Sequence, residues 1–187
     1  MQIAVAITGA SGVIIGFRLL EELAARDHTL YGIVTNNARQ VIEHELGPDF
    51  KYPSAVTYYE EADQQSPLNS SSFILDGMII APCSMKTLAA IATGYSNSLI
   101  VRAAENVLRT RLKLIIAPRE TPLSGSALNN MLKLHREGAI IFPPMVAYYH
   151  KPQTVAEITN FFVGKILDLL EIPNDLYRRW GKERNSL

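Results

Sequence analysis

Three short polar clusters each follow an apolar run, and each has residue types that could hold an anion or move a proton. The first is Thr8-Gly9-Ala10-Ser11-Gly12, after Met1–Ile7. Glycine adopts backbone angles closed to other residues and lets a ligand approach the main chain. Ser11 is a good helix N-cap, and the unpaired N–H groups of a first helical turn attract anions. The turn reads as a phosphate cradle, against the plainer reading of a tight turn of small residues. The second cluster is Ser84-Met85-Lys86-Thr87. Here Ser84 is placed to cap another helix, whose free N–H groups could face the same ligand. The third is Arg119-Glu120, a cation that favours the charged form of its neighbour. It serves either as a proton-transfer group beside a bound anion or as a simple ion pair.

The glycine spacing narrows the ligand. It runs G-x-x-G-x-x-x-G from Gly9 to Gly16, not the dinucleotide G-x-G-x-x-G, and no G-K-[ST] follows for a P-loop. The second strand ends in Thr35-Asn36-Asn37, where a dinucleotide fold usually carries an acid for the ribose. That argues against NAD. FMN fits better, having a terminal phosphate and no adenosine ribose.

Strands and helices alternate around these clusters. A first helix runs from about Val13 to Arg26, Thr29 to Val34 is a strand, and Ala38 to Leu46 is a helix carrying Glu45. Gly47 to Ser72 is an irregular surface excursion with one short strand near Ala55–Tyr58. Asp76 to Pro82 is a buried strand, and the helix capped by Ser84 runs to about Ala92. Ser98 to Arg111 is a helix, with Arg102 and Arg109 seven residues apart on one face. Leu112–Pro118 is a strand, Ser126–Glu137 a helix and Ala139–Phe142 a strand stopped by Pro143-Pro144. Thr154–Leu170 is an amphipathic helix. At least five strands alternating with helices predict a single-domain α/β fold, a doubly wound, mostly parallel sheet. In such sheets ligands lie beyond the carboxyl ends of the strands, the edge where all three clusters fall.

Composition excludes several classes. Lys plus Arg and Asp plus Glu are 18 each, so no net field recruits nucleic acid or an anionic membrane. One cysteine, Cys83, rules out an internal disulfide framework and a thiolate zinc cluster. Without a histidine at a recognisable spacing, Cys83 is a buried filler, not a nucleophile. The four histidines have no metal-ligand spacing, and no metal is expected. No basic-then-apolar leader precedes the first strand and no apolar run approaches the roughly 20 residues that span a bilayer. A cytoplasmic protein is expected, with some of its apolar surface buried between subunits.

Five stretches together resemble one family. They are I-T-G-A-S-G at Ile7–Gly12, A-P-C-S-M-K-T-L-A-A-I at Ala81–Ile91 and V-R-A-A-E-N-V-L at Val101–Leu108, then A-P-R-E-T-P-L-S at Ala117–Ser124 and G-K-I-L-D-L-L-E-I at Gly164–Ile172. In this order, over nearly the whole chain, they resemble the UbiX flavin prenyltransferases. The resemblance implies an enzyme that joins a dimethylallyl group, from dimethylallyl phosphate, to N5 and C6 of reduced FMN. The prenylated product would serve a separate UbiD-type decarboxylase. It places FMN against Gly9, Ala10, Ser11, Thr35, Ser84, Met85, Lys86, Thr87 and Arg119, with Thr35 where the family usually has serine. It gives the prenyl phosphate to Arg102, Arg109, Tyr149 and Lys165, and makes Trp180 a wall of the prenyl pocket. Glu120 matches the acid/base carboxylate, with Glu45 a second one and Ser11 beside them. It also implies a dodecamer-type homo-oligomer with active sites shared between chains, and a tail, residues 171–187, packed at the site or an interface.

Plainer readings exist for most of these residues. Paired arginines on a helix face are usually solvated or paired with acids such as Glu105. Tyr149 after a double proline would be packing, and Lys165 a snorkelling surface residue. Two rival functions differ in class. An FMN-dependent cysteine decarboxylase would carry P-A-S-A-N-T and a catalytic histidine, where this chain has Pro82-Cys83-Ser84-Met85-Lys86-Thr87. A non-catalytic FMN carrier would bind flavin and leave it unchanged.

Overall fold

Strand β1 (Gln2–Ile7) is the hub of the sheet in the computed structural model, which describes residues 1–181. On one side it pairs in parallel with β2 (Thr29–Val34), which pairs with β3 (Val56–Tyr59). On the other side it pairs with β4 (Gly77–Cys83), followed by β5 (Lys113–Pro118) and β6 (Ile140–Ile141). The order β3-β2-β1-β4-β5-β6 is that of a doubly wound, all-parallel sheet. Ile3 to Ile7 are wholly buried, because helices cover both faces and a central parallel strand reads as continuous apolar sequence.

Alternate residues of β1 feed two separate cores. Ile3, Val5 and Ile7 pack with α1 (Val13–Ala24), α2 (Asn36–Leu46) and α6 (Val155–Leu169). Ala4 and Ala6 pack with α3 (Met85–Thr93), α4 (Leu99–Arg109) and α5 (Gly125–Glu137). The sheet thus separates α4 from α6. Among the described residues, five of the six α-helices start on a Ser or Thr whose side chain accepts a backbone N–H from the first turn: Thr35, Ser84, Ser98, Ser124 and Thr154. At Thr154 the reciprocal bond from the backbone to Glu157 completes a capping box.

Two regions depart from expectation. The last strand shrinks to Ile140–Ile141, because Pro143 and Pro144 offer no N–H to extend the ladder beyond Phe142. The excursion from Gly47 to Ser72 is pinned on both faces of the sheet. Phe50 and Tyr52 sit 4.7 and 4.9 Å from Phe17 of α1 by ring centroids. Buried Leu68 gives its carbonyl to the Asn106 amide of α4 at 3.2 Å. Among the described residues no helix is long and apolar enough to cross a membrane.

Candidate active site

At the carboxyl edge the chain leaves β1 for α1 on one face, and leaves neighbouring β4 for α3 on the other. This divergence opens the crevice where ligands bind in open α/β sheets. Thr8 ties its two lips together: its buried hydroxyl donates to the Pro82 carbonyl at 2.9 Å and accepts the Ser84 N–H at 2.7 Å. The Arg119 N–H, just after β5, donates to the Cys83 carbonyl at 3.0 Å and locks the third turn beside them. Thr8 is a positioning residue to which the sequence assigned no role of its own. A threonine ending a strand looks like any other β-former until its partner turn is known.

The first turn works differently from the expectation. Ser11 does not cap α1; Gly12 holds the cap position, at φ +91°, and there is no side-chain cap from its own turn. The anion at this helix end is instead the Glu45 carboxylate, brought from α2. It accepts the Gly12 N–H at 2.9 and 3.2 Å and the Val13 N–H at 3.3 Å. The left-handed φ is what requires glycine at position 12. Gly9 is required for space, since a Cβ there would lie 2.5 Å from the Asn37 Cβ. The turn does attract a carboxylate, as its free N–H groups demand. Local sequence could not reveal a partner from a separate helix.

The second turn matches expectation. Ser84 Oγ accepts the Thr87 N–H at 3.3 Å and lies 3.1 Å from Thr87 Oγ1, while Met85 and Lys86 form the first turn of α3 between them. Thr35 is buried and spends its hydroxyl on the Ala38 N–H at 3.1 Å. Burial pushes the Cys83 thiol far above its ordinary range, which suits a packing role.

Arg119 and Glu120 are exposed and, among the described residues, form no ion pair with each other. The Glu120 carboxylate accepts its neighbour's N–H, Thr121, at 2.9 Å. Both line a cleft of about 410 Å³ with Pro118, Leu123, Pro143 and Met145. Ser11, Gly12 and Glu45 line another, about 580 Å³, against Val155 and Thr159 of α6.

The phosphate-binding candidates are not brought together within the chain. Tyr149 and Trp180 meet edge to face, with centroids 5.5 Å apart, on the α6 side that also carries half-buried Lys165. Exposed Arg102 and Arg109 are on α4, across the sheet. Arg102 reaches the Asn69 carbonyl at 3.4 Å. Arg109 donates to the Asn106 amide oxygen and lines a basic cleft with Arg111, Lys133 and Arg136. Arg109 also precedes β5 whereas Arg119 and Glu120 follow it, so a strand length of roughly 17 Å separates them.

The flavoprotein family model matches residues 1–167. A flavin prenyltransferase UbiX of Methanocaldococcus jannaschii is 51% identical over 97% of this chain and 99% of its own length. The chain belongs to the UbiX flavin prenyltransferase family. Two solved structures show how fully this UbiX-family chain keeps the fold. AnUbiX, solved with FMN and dimethylallyl pyrophosphate, is 37% identical over 98% of both chains at a TM-score of 0.92. A structure described as a dodecameric, FMN-dependent UbiX-like decarboxylase of Escherichia coli O157:H7 is 38% identical over 97% of this chain and all of its own, at a TM-score of 0.90.

Proposed function

We propose that this chain is a flavin prenyltransferase that moves a dimethylallyl group from dimethylallyl phosphate to N5 and C6 of reduced FMN. The observation that carries the reading is the convergence of three anion-compatible turns, after β1, β4 and β5, at one crevice. The residues fit FMN: Gly9 and Gly12 keep the backbone bare of side chains, and the Ser84–Thr87 hydroxyls and Arg119 border the same edge. With the Gly12 and Val13 N–H groups held by Glu45, the phosphate falls to the Ser11 and Ser84–Thr87 lips.

Reduced flavin supplies the nucleophilic positions to which the C5 unit becomes joined. Arg102, Arg109, Lys165 and the Tyr149 hydroxyl hold the prenyl phosphate and offset the charge that builds as its allylic C–O bond breaks. The Glu120 carboxylate takes up and returns a proton, with Glu45 a second carboxylate and Ser11 a further catalytic group. Trp180 and Tyr149 present aromatic faces to the cationic prenyl fragment. The sheet divides Arg102 and Arg109 from Tyr149 and Lys165, so the phosphate site is completed by a second copy in a homo-oligomer, as a dodecamer allows. The product would serve a UbiD-type decarboxylase.

The test is to incubate the protein with reduced FMN and dimethylallyl monophosphate, or the diphosphate, and weigh the extracted flavin. A gain of one C5H8 unit is expected with at least one donor. Unchanged FMN with both would leave an FMN carrier instead.

A further inference from the structure

Beyond α6 the chain turns at Leu170–Ile172 and folds back along the helix that it has just left. The seat for this returning segment is built from Gly164 and Asp168, one turn apart on α6. A Cβ on Gly164 would lie 2.5 Å from the Tyr177 ring, so only glycine lets that ring lie on the helix backbone. Asn174 donates to the Gly164 carbonyl at 3.2 Å and to Asp168 Oδ1 at 2.9 Å. The Tyr177 hydroxyl donates to Asp168 Oδ2 at 2.5 Å. Arg179 completes the set with a fork: one nitrogen donates to Oδ2 at 2.8 Å, the other to Oδ1 at 2.6 Å.

One carboxylate thus gathers three residues of the tail, and the residue next to the fork is Trp180. Trp180 is 81% exposed, so burial does not fix it. It nonetheless stands edge to face with Tyr149, whose ring packs in turn on Phe161 at 6.1 Å. A bidentate carboxylate–guanidinium pair fixes direction as well as distance, and a single hydrogen bond does not.

We propose that Asp168 is a positioning residue: it clamps Arg179 and Tyr177 so that Trp180 is held against Tyr149 and walls the prenyl pocket. The second half rests on the proposed function, which gives Tyr149 and Trp180 to the prenyl phosphate. The first half does not.

Trp180 is the only tryptophan in the chain, so its fluorescence reports the tail directly. The experiment compares FMN-loaded wild type, Asp168→Asn and Asp168→Glu. It measures Trp180 anisotropy, and the Kd for dimethylallyl monophosphate from quenching of Trp180. The FMN Kd serves as control. Asp168→Asn is expected to lower the anisotropy and weaken dimethylallyl monophosphate roughly tenfold, the scale of losing a charge-assisted pair, with FMN affinity unchanged. Asp168→Glu, which keeps the carboxylate, should recover part of both. Should Asp168→Asn fail to fold, Arg179→Gln breaks the fork without touching α6 and carries the same expectations. Unaltered anisotropy overturns the clamp. Lowered anisotropy with an unaltered prenyl-phosphate Kd overturns the pocket wall. Because neither readout needs turnover, an inactive wild type would defeat the proposed function and still leave the clamp decided by anisotropy.

Discussion

The crevice at the β1–β4 edge and the exposed arginines of α4 are both assigned to anions by the proposed function, yet they are built in opposite ways. At the crevice four polar side chains are committed by the chain itself: Thr8 to Pro82 and Ser84, Ser84 to Thr87, Thr35 to Ala38, Glu45 to Gly12. Short connections place these groups to within a hydrogen bond, and one copy of the chain is enough. Arg102 and Arg109 have only local acceptors, the Asn69 carbonyl and the Asn106 amide, and lie across the sheet from Tyr149 and Lys165, and Arg109 stands a strand length from Glu120. The difference teaches where assembly has to act. On the proposed function, the flavin side is preorganised within the fold, and the phosphate side is completed by another surface.

The sharpest way to break the comparison is at Glu120. Glu120→Gln keeps the shape and the Thr121 contact but cannot take up a proton. Turnover should fall by about 10²–10⁴-fold, while titration shows native FMN affinity. Near-native turnover would reduce Glu120 to a polar residue lining its cleft.

A smaller effect is expected at the crevice itself. Gly12→Ala puts a side chain at φ +91° and disturbs the N–H groups that hold Glu45. A loss of roughly 1–3 kcal/mol in denaturant unfolding is expected, the usual cost of a strained residue, with weaker FMN binding alongside. If FMN affinity stays native, the flavin does not use this lip.

The smallest effect concerns acid. Burial opposes the charge on Asp168, but Arg179, Tyr177 and Asn174 together outweigh it and hold its pKa below the ordinary value. A carboxylate with a lowered folded-state pKa contributes its full stabilisation above its unfolded pKa and loses it as pH falls through the folded one. Trp180 anisotropy should therefore stay flat through neutral and mildly acid pH and drop only below the ordinary aspartate range. In Asp168→Asn that step should vanish; an identical acid step in the variant would assign it to another group.

Much of the fold was legible because each βα turn announces itself locally. An apolar run ends, a Ser or Thr follows, and a 3.6-residue period begins; Thr35 after β2 and Ser84 after β4 cap as that pattern implies. The three polar clusters fell on one edge because alternation of strands and helices dictates it. What stayed hidden was long range. Ser11 has the right residue type for a cap, yet Gly12 takes the position and Glu45, 33 residues away, supplies the charge. Asp168 sits in G-K-I-L-D-L-L-E-I as an ordinary helix acid until the tail folds back on it.

The central claim, that one chain holds the flavin side and another completes the phosphate side, can be tested by mixing. Arg109→Gln and Glu120→Gln are each prepared with FMN bound, confirmed inactive alone, then dissociated together and reassembled. Mixed oligomers should contain sites with native Glu120 from one copy and native Arg109 from another. Part of the activity should return, read as flavin heavier by one C5H8 unit. No recovery at any mixing ratio, with both variants assembled and holding FMN, would contradict the shared site and require both groups to act within a single chain.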